Sequence, residues 1–182
     1  MGNDTVFVRD REIVYSGILD AENVGKVILS IRSMVNEDNE KEANLKNFKR
    51  EPIHLHISST GGSVYHTLGL YDLIETSRTP IITYGHGCIM SAAVILFLAG
   101  YKRVCGKHAT FMMHEASQGM NDYASIIHKK SEEISRLENL MRDIVVNRTK
   151  VSGKQYDKWN NEREVYLSAE DALKFGIVHE IL

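Results

Sequence analysis

Two cysteines in 182 residues are too few for a disulfide framework, and Cys88 and Cys105 stand in apolar surroundings without the spacing of metal ligands. A reducing compartment follows, with the cytoplasm as the expected location. An excess of positive charge is also lacking: the formal net charge is −2, and the Lys/Arg residues between Lys41 and Arg50 alternate with acids and Asn. That balance gives no footing for nucleic acid or an anionic membrane surface. No apolar run approaches the roughly 20 residues needed to span a bilayer. The first residues, MGNDTVFVRDREIV, lack the cationic start and apolar core of a signal peptide. Gly2 is not followed by Ser or Thr at position 6, where a myristoylation pattern needs one.

What is there is 43% hydrophobic and 25% charged, enough for one domain, residues 1–182, with a substantial core. The chain alternates strands and helices, and the expected class is α/β. Val6–Val8 and Ile13–Tyr15 read as short strands, Gly17 as a turn, and Asp20 as the N-cap of a helix. In that helix Val24, Val27, Ile28, Ile31, Met34 and Val35 recur at three- and four-residue steps. The pattern is lost over residues 36–50, which are expected to form an exposed connection with some helical character.

Pro52 introduces Ile53-His54-Leu55-His56-Ile57, whose alternation marks a strand with one buried face. The two histidines share the other face. His-x-His can hold a metal, but no third ligand is near in sequence, so a structural strand is the expectation. Ser58-Ser59-Thr60-Gly61-Gly62-Ser63 then leads into a helix carrying Val64, Leu68, Tyr71 and Ile74. The double glycine suits either a tight turn or an anion-binding loop with exposed N–H groups; without a Lys it is no Walker motif.

A second strand–turn–helix follows, from Ile81–Tyr84 through Gly85 to Gly100. Ser91 precedes a nearly unbroken apolar run, Ala92 to Gly100, and has two readings. It either caps a buried helix, or presents a nucleophile beside unpaired backbone N–H groups at the positive end of a helix dipole. Lys102–Cys105 and Thr110–His114 are the next strands, and His114 falls at a strand end, where catalytic groups of α/β sheets collect. From about Asp122 to Lys150 an amphipathic helix carries Ile127, Ile134, Leu137, Met141, Ile144 and Val145 as a stripe. It is too long for so small a core, which points to contacts with another subunit. Ser168 opens a capping box, Gly176 ends that helix, and Ile177–Leu182 is expected as a closing strand.

Taken together these segments resemble the proteolytic subunit of the Clp proteases, ClpP, and more broadly the ClpP/crotonase fold. The family's S-P-G-G-S-V resembles Ser59-Thr60-Gly61-Gly62-Ser63-Val64, with Thr60 at the usual proline. Its G-x-A-A-S-M-G resembles Gly87-Cys88-Ile89-Met90-Ser91-Ala92-Ala93, with bulkier residues before the serine. M-I-H-Q-P resembles Met112-Met113-His114-Glu115-Ala116, and the segment from Glu164 through Leu167-Ser168-Ala169 to Gly176 resembles the family's final motif. The likeness runs from Arg11 to the end.

The resemblance implies repeated strand-strand-helix units with a long protruding handle helix, and a serine endopeptidase acting on unfolded polypeptides. Ser91 would be the nucleophile, His114 the general base, and Glu164, where the family has aspartate, the orienting acid; Glu162 and Asp157 are the other acids in reach of that role. The backbone N–H groups of Gly62 and Ala92 would form the oxyanion hole. No cofactor or metal is implied. The implied partners are further copies in stacked heptameric rings and an AAA+ unfoldase. Residues 115–122 would pair with the extended substrate by strand addition. The competing readings are a catalytically silent ring subunit and a crotonase-type acyl-CoA enzyme.

Overall fold

The structure is a computed structural model that describes residues 5–115 and 123–182. Alternation decides the central strand. Ile53, Leu55 and Ile57 are buried and His54 and His56 half-buried, so β3 (Ile53–Ser59) turns one face to the core. β2 (Glu12–Ser16) and β4 (Ile81–Met90) flank β3 in parallel, and β1 (Thr5–Arg9) folds back onto β2 through Asp10 at φ 53°. The sheet runs β1-β2-β3-β4-β5-β8, with β5 Lys102–Cys105 and β8 Glu180–Ile181. The closing strand is thus two residues long; Ile177 and Val178 before it are buried outside the sheet.

β4 forks the sheet. Its first half, Ile82–Gly85, pairs with β5, while Cys88–Met90 pairs with β6 (Thr110–His114). A register shift on β3 between Ile57 and Ser59 and the positive φ of Gly87 (60°) mark the bend between the halves. The expected turn after Tyr84 is therefore strand, because cross-strand pairing on a second neighbour overrides the weak strand propensity of its glycines. The fork carries the chain off the main sheet and delivers it to Ser91. β6 in turn pairs antiparallel with β7 (Glu164–Leu167).

The helices are α1 (Ala21–Asn44), α2 (Val64–Glu75), α3 (Ala92–Leu98), α4 (Ala124–Arg148), α5 (Gly153–Asn161) and α6 (Ala169–Lys174). All seven residues of α3 are buried. Its C-terminal carbonyls are capped from a distance: Arg148 donates to Leu98 O (3.0 Å) and Gly100 O (3.0 Å), fastening the end of α4 to the core. Arg103, buried beside it, donates to Ile177 O, Gly176 O and Arg148 O, and burial lowers its pKa to about 10.

α1 continues to Asn44, nine residues beyond the end of its apolar stripe. Polar anchoring replaces hydrophobic packing there. Asp38, 1% exposed, accepts both terminal nitrogens of Arg11 (3.1 and 2.9 Å) and the Thr79 hydroxyl (2.7 Å). Arg50 adds bonds to Asn39 and Glu42. The expected connection over residues 36–50 shrinks to the few residues after Asn44. In α4, Leu137, Met141 and Val145 are buried, whereas Ile126 and Ile127 are more than a third exposed. One end of this 25-residue helix is thus rooted in the core and the other stands away from it. The expected start at Asp122, and the substrate-pairing segment after Glu115, lie outside the described residues. Among the described residues no helix is long and apolar enough to cross a membrane.

Candidate active site

Ser91 sits between β4 and α3 at φ 55° and ψ −127°, a conformation that non-glycine residues adopt only under constraint. The constraint is visible: its N–H donates to Met112 O at 2.7 Å and its C=O accepts from Val94 N–H at 3.0 Å. Because β4 and β6 pair from Cys88 to Met90, this elbow is clamped to the strand that ends in His114. His114 Nε2 lies 2.8 Å from Ser91 Oγ. The hydroxyl makes no capping bond to α3, so the capping reading of Ser91 gives way to a serine–imidazole pair.

The double glycine lies against the same elbow. Gly61 (φ 101°) and Gly62 (φ 149°) take backbone angles that disfavour side chains. A Cβ on Gly61 would stand 2.8 Å from Ser91 Cβ and 3.2 Å from Ala92 N; one on Gly62 would stand 2.5 Å from Leu19 O. Leu19 N–H donates to Gly61 O (2.9 Å) and Ser63 N–H to Leu19 O (2.8 Å), so the turn is held from the β2–α1 side. Ala92 is the first residue of α3, and its N–H has no acceptor within the helix. All four of Gly62, Ser91, Ala92 and His114 therefore gather at one end of the forked sheet.

A cavity of about 180 Å³ opens here, lined by Gly62, Val64, Ser91, Ile95, Met113, His114, Met141, Val145 and Tyr156. Apart from the serine, the histidine and the phenol it is apolar. Sequence reasoning missed Tyr156, whose hydroxyl burial pushes up to about 12; α5 carries no strong signal of its own. Met141 and Val145 appear in the expected stripe of α4 but could not be assigned to this cavity without the tertiary arrangement. Cys88, Ile89 and Met90 do not line it: they are consumed by strand pairing. A larger cavity of about 780 Å³, between β1 and α1, is lined by mixed charges such as Arg11, Asp38 and Lys41 and holds no histidine or cysteine.

Glu164 faces His114 directly in the β6–β7 register, so both side chains leave the same face of the sheet. Its carboxylate accepts the Tyr166 hydroxyl at 3.0 Å, and no hydrogen bond joins it to His114. The other two acids are engaged elsewhere. Asp157 accepts Arg142 Nε–H (2.7 Å) and Nη2–H (3.1 Å), bonds that hold its carboxyl below the usual range, and Glu162 lies 3.6 Å from Lys158. On the outer face of β3, His54 bonds Tyr84 (3.0 Å), and His56 bonds His86 (2.9 Å) and Glu12 (2.6 Å). Among the described residues no group of three or more His, Cys, Asp or Glu could hold a metal ion.

The family model described as Clp protease matches residues 6–182. The chain belongs to the Clp protease family. Among Clp relatives, an ATP-dependent Clp protease proteolytic subunit of Dehalococcoides mccartyi is 30% identical over 182 residues, covering 98% of this chain and 84% of the relative. ATP-dependent Clp protease proteolytic subunit 1 of Rhodopirellula baltica is 27% identical over 179 residues, 97% of this chain and 74% of that one. A solved structure of a ClpP1 mutant from Listeria monocytogenes superposes with a TM-score of 0.81 over 94% of this chain and 91% of that chain, at 23% identity. The mixed sheet with its long outlying helix is thus the ClpP fold. Relatives named as proteolytic subunits place this Clp family member among peptidases.

Proposed function

We propose that this chain is a serine endopeptidase that hydrolyses unfolded polypeptide, working as one domain. The observation that carries the reading is the 2.8 Å approach of His114 Nε2 to Ser91 Oγ at a strained strand–helix elbow, facing an apolar cavity. With Nε2 unprotonated, the imidazole accepts the serine proton as Oγ attacks the scissile carbonyl, and returns it to the leaving amine. Water then cleaves the acyl-enzyme by the same two transfers. The carbonyl oxygen, as it becomes an oxyanion, takes the N–H groups of Gly62 and Ala92; one such donor is worth about 3 kcal/mol of transition-state stabilisation. The 180 Å³ cavity suits an apolar side chain next to the scissile bond. Glu164 is the acid that orients and stabilises the imidazolium, and the cross-strand register supports its assignment over Asp157 and Glu162.

The exposed apolar residues on the outlying part of α4 support assembly with other copies, read as stacked heptameric rings enclosing the sites. An AAA+ unfoldase that feeds the chamber, and a cytoplasmic setting, complete the proposal. A fluorophosphonate probe tests it. The adduct is expected on Ser91 and lost in His114→Ala. An assembled protein that never reacts would instead be a silent ring subunit, and tight coenzyme A binding without peptide hydrolysis would mark an acyl-CoA enzyme. Glu164→Gln is expected to lower peptide turnover with assembly intact; unchanged hydrolysis would remove Glu164 from the triad.

A further inference from the structure

The carboxylate proposed for the triad stands opposite His114 in the β6–β7 ladder, and the structure holds it on Tyr166 instead. β7 runs antiparallel to β6 with His114 opposite Glu164 and Met112 opposite Tyr166. Side chains two apart on a strand leave the same face, so Glu164 lies between an imidazole across the ladder and a phenol along its own strand. The carboxylate accepts the phenol at 3.0 Å and makes no bond to the imidazole. A glutamate has one more rotatable bond than an aspartate, which is what lets its carboxylate swing along the strand.

We propose that Tyr166 is a positioning residue that holds Glu164 away from His114, so that its phenol sets the fraction of molecules in which the Ser91–His114 pair has that acid behind it. The consequence for catalysis rests on the peptidase reading; the geometry does not. Tyr166 is 57% exposed and bears on no core packing, so a structural role explains it poorly. Its phenol pKa is raised by the same bond to Glu164, as expected for a hydroxyl that donates to a carboxylate. On the α5 side His114 meets Tyr156, Trp159 and Asn160 around a small void. Tyr156, pushed up to about 12, stays neutral through the range in which an imidazole titrates, so a change in His114 on altering Tyr166 would come from Glu164.

The test is the titration of His114, followed by NMR in protein labelled with 13C-histidine and assigned with His114→Asn. In Tyr166→Phe the midpoint is expected to rise by about one pH unit, because a carboxylate brought to the imidazole favours its charged form. Tyr166→Phe/Glu164→Gln should return it to the Glu164→Gln value, and Glu164→Gln alone should lower the parent midpoint by only about 0.3 unit, since the phenol leaves the carboxylate behind His114 in a minority of molecules. An unshifted midpoint in Tyr166→Phe overturns the inference. So does a fall of about a unit in Glu164→Gln alone, which would mean that the carboxylate already serves His114. Labelling of Ser91 is read in parallel: Tyr166→Phe should react several-fold faster, with the acid limb of its pH profile moved upward. A shifted midpoint with no labelling in any variant would defeat the peptidase reading and leave the Tyr166–Glu164 contact established. Labelling with no shift would do the reverse.

Discussion

Gly62→Ala tests whether the double-glycine turn is part of the machinery or only a connection. A Cβ at this position would meet three backbone atoms of Leu19, its O at 2.5 Å, its N at 2.7 Å and its C at 2.9 Å. Ordinary contact begins at 3.4 Å, so the nearest atom must recede by about 0.9 Å. No side chain can yield instead, and the Leu19–Gly62 bridge ties the two segments together. The turn must therefore shift as a whole, and its φ of 149° adds backbone strain of about 1–3 kcal/mol. An N–H displaced by that distance no longer points at a developing oxyanion, and loss of one such donor costs about 3 kcal/mol, or roughly 100-fold in kcat. The assay is kcat and KM on a fluorogenic peptide, with thermal melting and Ser91 labelling alongside. Gly69→Ala in α2 is the control, since nothing lies within 4 Å of its Cβ; it should gain about 0.5–1 kcal/mol with activity unchanged. A Gly62→Ala protein that melts normally and keeps kcat within twofold of the parent would refute the oxyanion assignment of this turn.

Other consequences follow from the same structure. Ser91→Gly should abolish hydrolysis yet raise stability by about 1 kcal/mol over Ser91→Ala, because only glycine is relaxed at φ 55° and ψ −127°; equal melting temperatures would remove the strain. Asp38→Ala leaves Arg11 without its buried partner and should cost about 3 kcal/mol in a denaturant titration, whereas a cost under 1 kcal/mol would demote the pair to decoration. Burial would raise the Asp38 carboxyl, but the bonds from Arg11 and Thr79 lower it overall. Its stabilisation is thus present above the ordinary carboxylate pKa of about 3.9 and disappears as pH falls through the depressed folded value. His179 behaves in the opposite region of the scale: burial, then Arg103, Arg148 and Lys102, depress its pKa, so the folded state binds fewer protons than the unfolded one. Stability should decline as pH drops below about 6.5, and His179→Asn, which can still accept the Arg103 N–H, should flatten that slope; an unchanged slope would exclude His179 as its source.

Most of the fold was legible because it rests on periodicity. The alternation Ile53-His54-Leu55-His56-Ile57 and the apolar run after Ser91 each have one packing solution, and both were readable from the residues alone. What stayed hidden was set by long-range polar contacts. Nothing in the local pattern of residues 36–44 announces that Asp38 will find Arg11 and Thr79, 27 and 41 positions away, and it is those bonds that carry α1 past its last apolar turn. The strand from Gly85 to Met90 was illegible for a related reason: two glycines read as a turn until β6 is there to pair with Cys88–Met90.

The site divides along the same line. Ser91, His114 and the glycines each lie at the end of a strand or the start of a helix, where the chain's own geometry fixes the backbone, so the motifs they resemble singled them out as candidates although spacing alone left Ser91 between a cap and a nucleophile. The third side chain is different in kind. Register places Glu164 opposite His114, but register fixes only Cα and Cβ; the position of the carboxylate depends on which neighbour offers the better hydrogen bond. That neighbour is Tyr166, two residues along the same strand, a phenol that no catalytic motif would single out. The proposed nucleophile and base are therefore placed by the backbone, while the proposed acid is decided by competition between two side chains, so substitution at Tyr166 should leave the 2.8 Å Ser91–His114 approach in place and change only whether Glu164 stands behind it.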